Sequence, residues 1–465
     1  MNAIRTYFCL VLLLSSLCLS NTVFAVVHTA VSCENKGGQT DIQDAVNLAS
    51  DGDIVLVPAG NCTITTQVAV TNKKIAIIGA GIDTTTLTAN ITSGTRPGVF
   101  KVTTKPARIK GFTFNGTAPT YGAHVVFEGT GDETALFRID NCKFTVNSGY
   151  AILVWGLSYG LIDNNTFITT VDHSFIDLYS DNRTSWGRAS SLGTNKAVYI
   201  EDCTFTNSAV SGNYRTVTTD AGVRFVFRYN TVTNQALDAH GYCGNGLAGT
   251  MSFEIYNNTW LVTSGTSMFR WIFLRSGTGV VYNNAMTNNG TISRHIDMTE
   301  YRLAGVDSCT GAAKTCCTSY PCLDQIGRGT DQALDPAYFW NNTVNEVAAV
   351  VSVNPVIDSE WKVSTVYSQD YYVVPIVSNG YYYSATTGGT SSSSEPSWPT
   401  TIGQTVGDNS ITWINMCQIL NISSVIQINR DYFVDVAKPN YTPYVYPHPL
   451  AVTPQPPANL KISSR

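Results

Sequence analysis

The chain has 465 residues, of which 43% are hydrophobic, 11% aromatic and 13% charged, with a formal net charge of −5. A chain poor in charge and rich in Thr, Asn, Gly and Tyr fits an extracellular β protein better than a helical cytosolic one. With no basic block, it lacks the electrostatic footprint of a nucleic-acid binder, and a polyanionic partner would need a local cluster of Arg or Lys.

At the N-terminus, Arg5 precedes an apolar run from Tyr7 to Leu19, and Val23-Phe24-Ala25 supplies the small residues that a signal peptidase reads. Residues 1–25 are therefore expected to be an export signal. No later run is long and apolar enough to span a bilayer. The expected location is extracellular or periplasmic. Cys9 and Cys18 leave with the signal. The other ten cysteines, an even number in an exported chain, read as disulfides rather than metal ligands. The cluster Cys309 to Cys322 has no His near it in sequence, so zinc is not expected and no metal ligand is assigned.

Asp41 to Ala49 has Ile42, Ala45, Val46 and Ala49 on one face, the pattern of a short amphipathic helix. Gly52 to Gly60 then reads as a strand ending in a turn, and the apolar stretch Lys74 to Gly81 follows. An open rung of stacked strands presents unpaired backbone and bare core, and a helix placed first would cover it. This stretch, through Thr86-Leu87, resembles the N-terminal cap of the pectate-lyase-like superfamily of right-handed parallel β-helices. The resemblance implies an all-β solenoid over residues 26–357.

The repeats agree. An apolar strand, an Asn-rich corner and a second apolar strand recur around positions 142, 165, 203, 230, 258 and 284, and again at Trp340-Asn341-Asn342-Thr343-Val344. A period of roughly 25 residues, widened by insertions, means a solenoid. Asn suits the corner because it tolerates the left-handed region and its amide can bond the equivalent Asn one rung away. Several of these asparagines also fit the N-x-Ser/Thr sequon. The ladder is the more economical reading.

Two stretches depart from the repeat. Residues 303–337 form a Cys-rich loop. Residues 358–417 set Trp361, Tyr367, Tyr381-Tyr382-Tyr383, Glu395-Pro396, Trp398 and Trp413 among Ser, Thr and Gly. Their order resembles small carbohydrate-binding modules of the chitin-binding type and related modules on phage tail proteins. Such a module would interrupt the solenoid, with the chain returning to it over 418–465 and ending in a Pro-rich tail. Trp398 is the expected stacking platform.

Counting from the corners places a third strand in each rung: Ile152–Trp155, Ile176–Tyr179, Val217–Asp220, Leu237–His240, Ile272–Arg275 and Ile296–Thr299. Alternation sends their first and third residues inward and their second and fourth outward. Asp177, Asp238 and Asp297 then share one outward column, and Tyr179, Asp220, His240 and Arg275 the other. The same alternation puts Trp271 and His295 on the outer face, and Arg270 lies nearby. Members of the superfamily carry their sites on this face, so the resemblance implies a polysaccharide groove with Asp220, Asp238, His240 and Arg275 as its catalytic centre. Asp177, Tyr179, Arg270, Trp271, His295, Asp297 and Trp398 would bind substrate. Arg224 and Arg228 fall on another strand and are expected to make structural pairs.

Two chemistries fit. A lyase would use His240 as base, with arginines or a metal such as Ca2+ neutralising the enolate. An inverting hydrolase would use two carboxyls about 6.5–9.5 Å apart. The paired-Asp calcium site and the Arg-x-Pro-x-x-Arg motif of pectate lyases are absent, as are the Asn-Thr-Asp and Arg-Ile-Lys motifs of polygalacturonases. The alternative function is a non-catalytic glycan-binding surface or adhesion protein.

Overall fold

The structure is a computed structural model that describes residues 25–117, 122–129, 136–212, 214–241, 247–299, 324–354, 360–369, 371–418 and 426–452. The expected export signal, all but Ala25, and most of the Cys-rich loop lie outside the described residues.

Three long sheets of 12, 11 and 10 strands, here sheets A, B and C, are built by taking one strand from each rung in turn. Neighbouring strands are parallel throughout, except for a closing hairpin in which Thr343–Val344 pairs with Val347–Ala348. This is a right-handed parallel β-helix, the hand that parallel crossovers adopt. Columns of like residues fill its axis. In sheet A, Ile77, Ile109, Ile139, Ile162 and Ile200 stand in register. In sheet B, Phe114, Phe144, Phe167 and Phe205 stack with centroids 4.8, 5.1 and 4.6 Å apart. Those spacings match the strand separation, so each ring meets its equivalent one rung away and the sheet repeat itself makes the aromatic stack.

The helix spans Asp41–Leu48 and buries Ile42, Ala45 and Val46 over the first rung. Ala49 is already extended and caps it. A Cys33–Cys62 disulfide ties the capping segment to the first strand of sheet B. Cys142 and Cys203 depart from the expectation of pairing and are buried free thiols. They occupy corner positions two rungs apart with Asn165 between them, roughly 10 Å by strand spacing and beyond disulfide reach.

The A-to-B corner repeats closely. Residues 141, 164, 202, 229, 257, 283 and 341 all have φ between 52° and 56°. Five of the seven are Asn and one is Asp, the types that tolerate the left-handed region. The next residue makes the ladder. Asn230 N donates to Asn258 Oδ1 at 2.9 Å, Asn258 N to Asn284 Oδ1 at 3.2 Å, and Asn284 N to Asn342 Oδ1 at 3.2 Å. Each Nδ2 also reaches a carbonyl of the preceding rung, as Asn258 does to Phe227 at 2.8 Å.

The stretch 360–418 forms two separate small antiparallel sheets, of four and two strands, around Trp361, Tyr367, Tyr383 and Trp413. After it, Tyr432–Val434 joins sheet A beside Ala337–Phe339. The tail then runs over the outer face of sheet A. Arg138 donates to Leu450 O, and Arg228 to Tyr444 O and Val445 O.

Candidate functional site

Sheet C carries the columns read from the sequence, in the expected register. Asp177 pairs with Thr218, Thr218 with Asp238, Asp238 with Phe273, and Phe273 with Asp297. Alongside, Tyr179 pairs with Asp220, and the backbone N–H groups of His240 and Arg275 donate to the preceding rungs at 3.0 and 2.9 Å. Ile176, Leu178, Val217, Leu237, Ala239, Ile272, Leu274, Ile296 and Met298 all point into the core.

The outward columns are not the solvated surface that alternation alone suggests. Asp177, Asp220 and Asp238 are 3%, 8% and 1% exposed. Arg275 donates to both oxygens of Asp238, with its Nε 3.1 Å from Oδ1. Arg215 Nε lies 3.3 Å from Asp238 Oδ2. Asp220 Oδ1 accepts the N–H of Ala221 at 2.9 Å, and its Oδ2 stands 3.7 Å from His240 Nδ1. The half-exposed side chains of His240 and Arg215 form the solvent-facing side of the group.

Burial without a full complement of counter-charge splits these carboxyls. Asp177 is pushed up to about 8 by desolvation and by the charge of Asp220, against hydrogen bonds from Tyr150 and Tyr179. Asp220 is pushed up to about 7, again chiefly by desolvation. Burial acts on Asp238 as well, but Arg275 and Arg215 overcome it and hold the group below the usual carboxylate range. His240 is held down to about 4 by burial and by Arg275, so its imidazole is neutral at pH 7. Near neutrality the cluster therefore sets a mostly protonated Asp177 and a partly protonated Asp220 beside an ionised Asp238. A pair of titratable groups pushed apart in this way is suited to acid–base work.

Further along the sheet, Asp297 accepts from Arg270, from Arg294 at 3.3 Å, and from Asn354 at 2.6 Å. Arg270 lies over the rings of Phe269 and Phe273 at 4.2 and 4.0 Å. His295 is partly buried, and its Nδ1 accepts the N–H of Val350 at 3.0 Å. That bond ties it to the last rung rather than to the carboxyl group.

One placement from alternation fails. Trp271 is wholly buried in the core, edge-on to Trp260 at 5.4 Å. Strands of sheet C turn two successive residues inward as they leave the corner: Ala151 and Ile152, Phe175 and Ile176, Ala236 and Leu237, Trp271 and Ile272. Strict period-2 counting breaks at that step. The same break explains two residues that the counting missed. Tyr150 and Arg215 stand two positions before the core residues Ile152 and Val217, where parity sends them inward, yet both serve Asp177 or Asp238. The register of the Arg215–Asp220 strand shifts between Arg215 and Thr218. Only the recurrence of large polar residues at that offset, Tyr150, Arg215, Arg270 and Arg294, could have signalled it.

Trp398 is also less free than expected. It is half-buried, 4.3 Å from Tyr383 and 5.9 Å from Trp413, and its Nε1 donates to Glu395 at 2.9 Å. Sheets this small need their aromatics for their own core. Arg224 and Arg228 make the structural partnerships expected of them, Arg224 with Tyr159 and the Ser185 and Ala189 carbonyls, Arg228 with Glu201 and Tyr256. Among the described residues, no group of three or more His, Cys, Asp or Glu is placed to hold a metal ion.

No family model matches the sequence, and no curated protein does. Among solved structures, the chain is similar to the pectin methylesterase PemA from Erwinia chrysanthemi, at 10% identity over 72% of this chain and 93% of that one, TM-score 0.37. It is similar to the catalytic domain of a GH87 α-1,3-glucanase in complex with nigerose, at 13% identity over 68% of this chain and 64% of that one, TM-score 0.27. ORF18 of Geobacillus virus E2 matches at 12% identity over 85% and 77%, TM-score 0.30. These are distant likenesses of architecture and say nothing of the chemistry.

Proposed function

We propose that this is an exported, carbohydrate-active β-helix protein that hydrolyses a polysaccharide at the Asp220–Asp238 centre. The observation that carries the reading is two neighbouring buried carboxyls held apart in proton affinity, Asp220 raised towards neutrality by burial and Asp238 held ionised by Arg275 and Arg215. They sit one rung and two residues apart, roughly 8 Å at the backbone by strand geometry. That suits an inverting hydrolase, in which an acid protonates the leaving oxygen and a carboxylate activates water from the opposite face. Asp220 takes the acid role and Asp238 the base, with Arg275 and Arg215 fixing the orientation of Asp238. Asp177, hydrogen-bonded by Tyr150 and Tyr179, lies beside the acid.

The lyase reading has less support. Its base would be His240, and the sequence lacks the paired-Asp calcium site and the Arg-x-Pro-x-x-Arg motif that such lyases use. Burial of the Asp238–Arg275 pair supports a second reading, in which the pair is a structural latch and the face only binds glycans. The sheets at 360–418, with Tyr371 exposed and Trp398 at their edge, would add a glycan contact under either reading.

Incubation with a panel of acidic and neutral polysaccharides separates the cases. Hydrolysis yields new reducing ends without ultraviolet absorbance, whereas a lyase yields both. Asp220→Asn is expected to cut turnover about 10²–10⁴-fold with an unchanged melting temperature. Full activity in that variant, or glycan binding with no cleavage across the panel, removes Asp220 as the acid.

A further inference from the structure

The corner asparagines raise a question that the sequence leaves as a choice, namely hydrogen-bonded ladder or glycan acceptor. The structure shows that these are different residues. At three corners the sequence reads Asn-Asn-Thr: Asn164-Asn165-Thr166, Asn257-Asn258-Thr259 and Asn341-Asn342-Thr343. The second Asn of each is buried, and its amide is spent on the ladder. The first Asn begins the N-x-Thr motif. Its left-handed backbone, with φ of 54°, 55° and 53°, turns it out of the solenoid. Asn164 and Asn341 are exposed and Asn257 is half-exposed. The motif's Thr opens the following strand of sheet B, exposed at Thr259 and half-buried at Thr166 and Thr343.

We propose that Asn164, Asn257 and Asn341 are N-glycosylation sites, aligned along the A-to-B edge of the solenoid. The step joins the Asn Nδ2 to the anomeric carbon of a lipid-pyrophosphate-linked oligosaccharide. The bond from that carbon to the pyrophosphate oxygen breaks, the pyrophosphate leaves with the electron pair, and Nδ2 loses one proton. Each amide has two protons, and only one is consumed. Asn164 uses one N–H to reach Asp163 Oδ2 at 2.8 Å, which leaves the other for the new bond. Glycans on this edge stand away from sheet C and leave the carboxyl face open. The proposal draws on the expected export signal, because the donor lipid belongs to the export route.

The fold supplies internal controls. Asn141 and Asn283 occupy the same corner with the same backbone, φ 52° and 53°. They are followed two residues on by Lys143 and Ala285, so neither begins an N-x-Thr motif.

The test expresses the full chain through a eukaryotic secretory pathway. A glycosidase that converts glycan-bearing Asn to Asp is then applied in heavy-oxygen water, and the labelled peptides are mapped. Label is expected at Asn164, Asn257 and Asn341 and not at Asn141 or Asn283. Thr259→Ala should remove the label at Asn257 and leave the melting temperature unchanged. Asn258→Ala keeps the motif, so it should keep the label while weakening the ladder. Label at fewer than two of the three sites, or label at Asn257 that survives Thr259→Ala, overturns the proposal.

Discussion

Sheets A and C are built from the same ingredients: buried arginines, carboxylates and tyrosines on neighbouring rungs. They use them differently. On sheet A, most carboxylates have a close arginine, Asp140 with Arg108, Asp163 with Arg138, and Glu201 with Arg228. Arg138 also reaches Asp140 at 3.5 Å, and Glu254, pushed up to about 7 by burial, is held by Tyr441 and the Gly193 N–H instead. The tail then seals the row, and its carbonyls take up further guanidinium N–H groups. On sheet C, Arg215 and Arg275 both converge on Asp238 while Asp177 and Asp220 are pushed upward. Burial also raises Glu201, but Arg228 lies directly against it. A buried charge is tolerated where its partner comes with it, and where partners are unevenly shared the proton affinities separate. A raised carboxyl covered by the tail, such as Glu254, remains a strut. On sheet C the raised carboxyls stand beside the solvent-facing His240 and Arg215 and make a candidate acid–base pair.

The sharpest break of this comparison is Arg228→Met. It leaves Glu201 buried without its guanidinium and removes two anchors of the tail, so a loss of about 3–5 kcal/mol in denaturant unfolding is expected. Turnover per folded molecule should be unchanged. A stability loss much below this would mean that the pair is not the strut described.

Asn258→Ala tests the corner that joins the two faces of the scaffold. It leaves the backbone N–H of Asn230 and the Phe227 carbonyl without their partner, at about 1–3 kcal/mol, measurable as a lower midpoint at unchanged m-value.

The effect most diagnostic for sheet C is a pH dependence of stability. A carboxyl whose folded pKa is raised binds its proton more tightly when folded, so its contribution is fully present below the unfolded value near 4. It is lost as pH rises through the folded value, about 8 for Asp177. Asp177→Asn removes that loss. The variant should gain about 3–4 kcal/mol over the parent on going from pH 5 to pH 8, read from parallel thermal melts. Parallel curves for parent and variant would place Asp177 among ordinary solvated carboxylates.

Much of the architecture was legible in the chain. The repeat, the corner asparagines and the capping helix are local, and each follows from a backbone preference or an apolar period that can be counted along the sequence. Counting also set the register of sheet C well enough to align Asp177 with Asp238 and Asp220 with His240, because a parallel coil stacks equivalent positions. Three things needed the folded molecule. The double inward step at the start of four sheet C strands buries Trp271 and turns Arg215 towards Asp238, and no alternation rule contains it. Disulfide pairing also failed to follow from cysteine number, since Cys142 and Cys203 serve as buried ladder positions. Last is the division of charge. Composition and spacing can bring Asp, Arg and His to one face, but which carboxyl keeps its proton depends on burial depth and on the distance to each guanidinium. Those are set by packing between residues tens of positions apart, and only the tertiary structure decides them.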